Sequence, residues 1–282
     1  MVWSDDGEAR ALDRRTTKSP LSGDIPIYTT RIIKAGALLA DTKILLAHWD
    51  GSIPARENLE RFRRENIFGK ASRSRVEDVL AIFRQRYLTD PGITRALVAL
   101  VRNGFPAEGL DKVLYFHAAQ SDRLLHDVGT EVLAPLHAQG RTDVASDDIR
   151  AMFARWVDEG KTSGQWSDYT MRRVTQGVLA TLRDFGVLQG AANKRIAPSL
   201  LPVRAFAYVA FCLRQRQPSG SRLIDDLEWR LFFLPREGVE RFLIEADQLR
   251  LLEYHAAGST VRITFPVESL EEYANVLAPR PH

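Results

Sequence analysis

Residues 146–198 constrain the fold most, because they place two helical stripes, a polar turn and a short basic hairpin in one order. Ile149, Met152, Phe153, Trp156 and Val157 recur at helical spacing behind Ser146, a residue suited to an N-cap. Glu159 to Gly164 reads as a turn. Ser167 predicts the cap of a second helix that runs from Asp168 or Thr170 to Phe185, with Gly186 in the C′ place. A Val187-Leu188 strand, a polar tip from Gln189 to Arg195 and a return through Ile196-Ala197-Pro198 complete the order expected of a winged helix-turn-helix over 141–202.

At about 100° per residue, Met171, Val174, Val178, Leu182 and Phe185 share one side of the second helix. The other side carries Arg172, Arg173, Gln176, Ala180 and Arg183, with Thr170 opening the helix. Arginine and glutamine form bidentate hydrogen bonds to base edges, and small residues such as Gly177 and Ala180 let a backbone come close to a partner. Lys161 in the turn and Lys194 and Arg195 in the hairpin suit phosphates. The competing interpretation is an ordinary solvated face.

The rest of the chain reads as mainly α. Residues 1–23 have the composition of a loose tail. Ile32 to Trp49 predicts a core helix closed by Asp50-Gly51-Ser52, with Pro54 in the first turn of the next. Ser72 or Ser74 caps a helix striped with Val76, Val79, Leu80, Phe83 and Tyr87, and Pro135 kinks or breaks the helix around it. Together 24–140 form an N-terminal helical bundle with helix-turn-helix character. Its cations Lys70, Arg73 and Arg75, with Ser72, form a second candidate phosphate site, and Glu57 pairs with Arg61 at i, i+4. Residues 203–282 repeat the helix-helix-hairpin order as a second winged-helix-like unit: Leu223 to Leu234, Arg236 to Arg250, then a β-hairpin of Leu251 to Tyr254 and Thr260 to Phe265 joined by His255 to Ser259, with a turn at Gly258. Its outer helix face, Glu240, Arg241, Glu245, Asp247 and Gln248, is net acidic and suits a protein partner better than phosphate.

The formal net charge of +3 hides this segregation: residues 56–102 carry +5, 103–160 carry −5, 161–216 carry +7 and 217–282 carry −4. A duplex meets a local patch rather than the total. The single cysteine, Cys212, allows no internal disulfide and fits a reducing cytoplasm. No stretch has the length and apolarity of a membrane span.

Tyr28-Thr29-Thr30, Gly36-Ala37-Leu38-Leu39, Glu65-Asn66-Ile67-Phe68, Ser72-Arg73-Ser74 and Arg86-Tyr87-Leu88 follow one another in an order that resembles the BrxA family of bacteriophage-exclusion (BREX) systems. The chain departs from the family at Asp41-Thr42, where a Glu-rich helix continuation is expected, and in a longer tail. The resemblance implies a mainly helical, non-enzymatic protein that binds double-stranded DNA. It also implies partners encoded in the same defence island: a methyltransferase, an ATPase and a phosphatase-like protein. It supplies no catalytic residues and no cofactor.

Other chemistry lacks its residues. Gly160-Lys161-Thr162 has Arg155 where a P-loop needs its first glycine, and Glu159-Gly160-Lys161 ends a helix rather than a nuclease strand. His117, His126 and His137 are not spaced as helical zinc ligands. Asp147-Asp148 and Asp225-Asp226 sit at expected helix starts, where they favour the dipole. The alternatives to DNA binding are a protein scaffold of the defence complex built on winged-helix units and a transcriptional regulator.

Overall fold

A computed structural model describes residues 28–198, 201–258 and 260–279. The expected tail, 1–23, and Ser259 of the second turn lie outside the described residues. The fold is mainly α with two small antiparallel sheets.

The first helical stripe breaks where one helix is expected. α1 (Ile32–Ala35) and α2 (Leu39–Ala47) are separated by Gly36, at φ +52° and ψ −169°, and by Leu38 in the left-handed region. Only glycine adopts the former readily. Arg86, 2% exposed, holds the break open by donating to the carbonyls of Gly36 at 2.9 Å and Ala37 at 3.2 Å. α3 (Ala55–Glu65) begins one residue after Pro54, which is its N-cap rather than part of its first turn. Its i, i+4 ion pair is Arg56–Glu60, not the expected Glu57–Arg61; Arg61 instead donates to His48 O and Asn58 Oδ1.

α4 (Arg73–Tyr87) is capped by Ser72, whose hydroxyl accepts from Arg75 N, and buries the expected stripe from Val76 to Tyr87. α5 (Pro91–Arg102) and α6 (Ala107–Ser121) follow. α7 (Arg123–Asp127) runs into a π-helical turn at Val128–Leu133 and then α8 (Ala134–Ala138). Pro135 in the first turn of α8 explains the widened turn before it, because proline cannot donate to the preceding turn.

β1 (Asp143–Val144) precedes α9 (Ser146–Asp158) and α10 (Asp168–Asp184); β2 (Leu188–Gln189) and β3 (Lys194–Ile196) close the unit. The sheet order is β1-β3-β2, so the hairpin gains a third strand that the sequence reading lacked. Ala145, not Ser146, occupies the N-cap of α9. Every residue from Ala205 to Leu213 of α11 (Val203–Arg216) is buried, as expected of a helix apolar all round. The expected helix 223–234 is two pieces, α12 (Gly220–Ile224) and a 3₁₀ turn at Leu227–Phe232. Asp226 caps the second piece and Asp225 ends the first. α13 (Arg236–Gln248), β4 (Glu253–Ala257) and β5 (Thr260–Thr264) complete the second helix-hairpin unit; His255 to Ala257, expected in the connection, extend the strand because they pair with Arg262, Val261 and Thr260, while Leu251 and Leu252 precede it.

α14 (Leu270–Val276), absent from the sequence reading, returns to pack on α5 through Arg95–Glu271 and Asn103–Asn275. One hydrophobic core joins all these elements. No helix among the described residues is long and apolar enough to cross a membrane.

Candidate nucleic-acid interface

α10 is built as expected. Ser167 accepts from Thr170 N at 3.2 Å, Val174, Val178, Leu179 and Leu182 are buried, and Gly186 ends the helix at φ +67°. Two threonines complete the inner face, with Thr175 and Thr181 hydroxyls donating to the carbonyls of Met171 and Gly177. The outer face leaves Arg172, Arg173, Gln176 and Arg183 exposed, as the wheel requires. It also exposes Tyr169 to 67%, which the helical wheel places beside Gln176 and Arg173. Arg172 donates to Asp168 O at 3.3 Å. Among the described residues neither Arg172 nor Arg173 has a carboxylate partner.

Gly177 has a different role from the one expected. A Cβ there would lie 3.0 Å from Ile32 O and 3.4 Å from Ile33 Cα. The backbone that its small size admits is α1 of the same chain, so α1 lines the flank of α10 beside Arg173 and Ala180. The segment before α1 is anchored too. Tyr28 exchanges backbone hydrogen bonds with the α9–α10 turn, from Tyr28 N to Lys161 O at 2.7 Å and from Ser163 N to Tyr28 O at 3.1 Å.

The remaining candidate cations are already paired. Lys161 meets Glu159 at 2.8 Å, Arg183 meets Asp184 at 2.7 Å, and Arg195 meets Asp143 across the β1–β3 pair at 2.9 Å. Lys194 donates to the carbonyls of Gly190 and Ala191 inside the hairpin tip. Such exposed pairs contribute about 0–1 kcal/mol, so exchanging a carboxylate for a phosphate costs little.

The N-terminal group separates into two kinds of residue. Lys70 is held 2.8 Å from Asp41, whose carboxylate is nearly buried, and Ser72 is occupied as a cap; both serve the fold. Arg73 is exposed, and Arg75 reaches across to Lys34 O at 3.0 Å. In the second unit Arg236 pairs with Asp225 and Glu240, Glu245 and Asp247 leave the α13 face net acidic, and Ile244 and Leu249, the latter expected in the buried stripe, are exposed.

Titratable groups away from this face are explained by packing. His117 is buried against Tyr208 Oη at 2.9 Å, and burial lowers its pKa to about 3, leaving it neutral. His126 lies between Asp127 at 2.8 Å and Glu228 at 3.2 Å. Burial alone would discharge it, but the hydrogen bonds and charges of the two carboxylates outweigh that and raise it to about 9. Asp127 also accepts from Tyr28 Oη at 2.7 Å and pairs with Arg123, which ties the Tyr28 segment to α7. His137 stacks on Phe233. Among the described residues no group of three or more His, Cys, Asp or Glu is arranged to hold a metal.

No curated protein matches the chain. A family model, BrxA, matches residues 26–211, about two thirds of the sequence, from just before Tyr28 through the helix-hairpin unit and most of α11. The chain belongs to the BrxA family of bacteriophage-exclusion (BREX) systems.

Proposed function

We propose that this protein is a non-enzymatic, double-stranded DNA-binding accessory component of BREX defence in the cytoplasm. In this reading residues 141–202 act as a winged helix-turn-helix: α10 enters the major groove, and the β2–β3 hairpin touches the flanking backbone. The observation that carries it is the outer strip of α10. Arg172, Arg173 and Gln176 stand exposed with no carboxylate partner among the described residues, on a helix whose other face is locked into the core. An arginine–guanine or glutamine–adenine bidentate pair contributes about 1–3 kcal/mol of base discrimination. Arg183, Lys194 and Arg195 add phosphate contacts by exchanging weak exposed partners.

Mobility of a 20-base-pair duplex with purified protein tests the reading. It predicts a shift at low salt, and an affinity loss of about 1–3 kcal/mol for each arginine removed in Arg172→Ala/Arg173→Ala. No shift at low salt, or an unchanged affinity in the variant, refutes it. A second reading, a scaffold for the methyltransferase, ATPase or phosphatase-like protein, is favoured by one observation: the acidic α13 face exposes Ile244 and Leu249 to 49% and 48%. The two surfaces lie on different helices, so one protein can serve both.

A further inference from the structure

We propose that α1 joins the α10 strip to α4, so that Arg31, Lys34 and Arg84 hold phosphates of the same duplex whose major groove takes α10. The inference rests on the DNA-binding reading above and extends it to residues outside the helix-hairpin unit.

α1 is packed on both sides. Towards α10 its backbone lies against Gly177, 3.0 Å from where a Cβ would stand. Towards α4 it is tied by Arg75 to Lys34 O at 3.0 Å, and the residues after it are tied by Arg86. The exposed surface runs from Arg172, Gln176 and Arg173, across Arg31 and Lys34, to Arg84. Between α1 and α4 lies a cleft of about 530 Å³ lined by Arg31, Lys34, Arg84 and Gln85. Asp78 is the one carboxylate among the described residues that line it, and Asp122, buried nearby, feels the Arg31 charge. Arg31, Lys34 and Arg84 have no ion-pair partner among the described residues.

The spacing fits a duplex. Two helix-to-helix steps of about 8–10 Å keep the α4 axis within about 20 Å of that of α10. The major groove is about 12 Å wide, so a helix seated in it leaves α1 and α4 over the strand that borders it. Contacts there fix register without reading sequence, which suits unpaired cations at the rim of a cleft. The two basic zones of the sequence are thus one surface, joined by a short helix from a segment of zero net charge.

Salt titrations of duplex affinity test this with three forms of the full chain: wild type, Arg31→Ala/Lys34→Ala/Arg84→Ala, and Arg222→Ala/Arg241→Ala/Arg250→Ala. The last set removes the same charge from exposed sites elsewhere. The first triple variant is expected to lower the salt slope by about 2–3, at roughly 0.9 per phosphate, and the control to leave it unchanged. An unchanged slope in the first triple, or an equal fall in the control, overturns the inference while wild-type binding keeps the α10 reading intact. Absence of wild-type binding overturns both. Lys34→Glu alone, at an exposed position, is expected to weaken binding in the same direction, and unchanged affinity overturns the inference.

Discussion

Stability should fall with rising pH through His126. Its imidazole sits between Asp127 and Glu228 with a side chain only 15% exposed, and its pKa is raised from 6.5 to about 9. At about 1.36 kcal/mol for each tenfold change in proton affinity, that difference contributes about 3 kcal/mol to the folded state. Because the folded value is the higher one, the contribution is complete below pH 6.5 and is lost as pH rises through 9. Removing the cation leaves two carboxylates with one fewer partner in a nearly dry site, a situation that costs several kcal/mol when a buried pair is broken. Chemical denaturation followed by circular dichroism, from pH 6 to pH 9.5, compares wild type with His126→Gln. Wild type should lose about 3 kcal/mol more than the variant over that range, and the variant should be the less stable at pH 6. Parallel profiles would show that His126 is not held charged by its neighbours, and the reasoning would fail.

Three further perturbations follow from the packing. Gly177→Leu has no room against Ile32 O and must displace α1; overpacking of this kind costs about 1–3 kcal/mol, or about 2–4 °C of melting temperature per kcal/mol in a domain of this size, and an unshifted melt would contradict the close approach. Asn58 is fully buried, accepts from Asp50 N and Arg61, and donates to Asp50 O, so Asn58→Ala should cost about 1–3 kcal/mol in denaturation, against near neutrality if these bonds are not formed. Ser167→Ala removes the α10 cap and should cost about 1 kcal/mol, while Ser74→Ala, at a position that caps nothing, should cost little.

The amphipathic periods of α4, α9 and α10 were legible because each helix buries one stripe and ends at a recognisable cap or glycine. Ile32 to Trp49 misled because Arg86, fifty residues away, stabilises a backbone break that no local pattern announces. β1 is two residues long, too short to alternate visibly, and exists only through its pairing with β3. The outer strip of α10 could be read from a wheel. The partner of Gly177 could not, since a missing side chain says that something comes close without saying what. Its position on the flank between Thr181 and Arg173, off the middle of the exposed face, was the available signal for a partner other than DNA. The charge segregation was plain in the sequence, but its continuity across α1 depends on tertiary contacts alone.

The most direct test of α10 in the groove is site-specific trapping. Cys212 is the chain's one cysteine, is buried, and has its thiol pushed up to about 12 by burial, so it does not compete with an introduced thiol. Gln176→Cys and Glu237→Cys place a thiol on the outer faces of α10 and α13 respectively, each to be mixed with a duplex carrying a disulfide-activated tether on a cytosine amino group in the major groove. The account predicts a covalent adduct with Gln176→Cys and none with Glu237→Cys. An adduct at Glu237→Cys, or none at Gln176→Cys from a protein that still shifts the duplex, would contradict it.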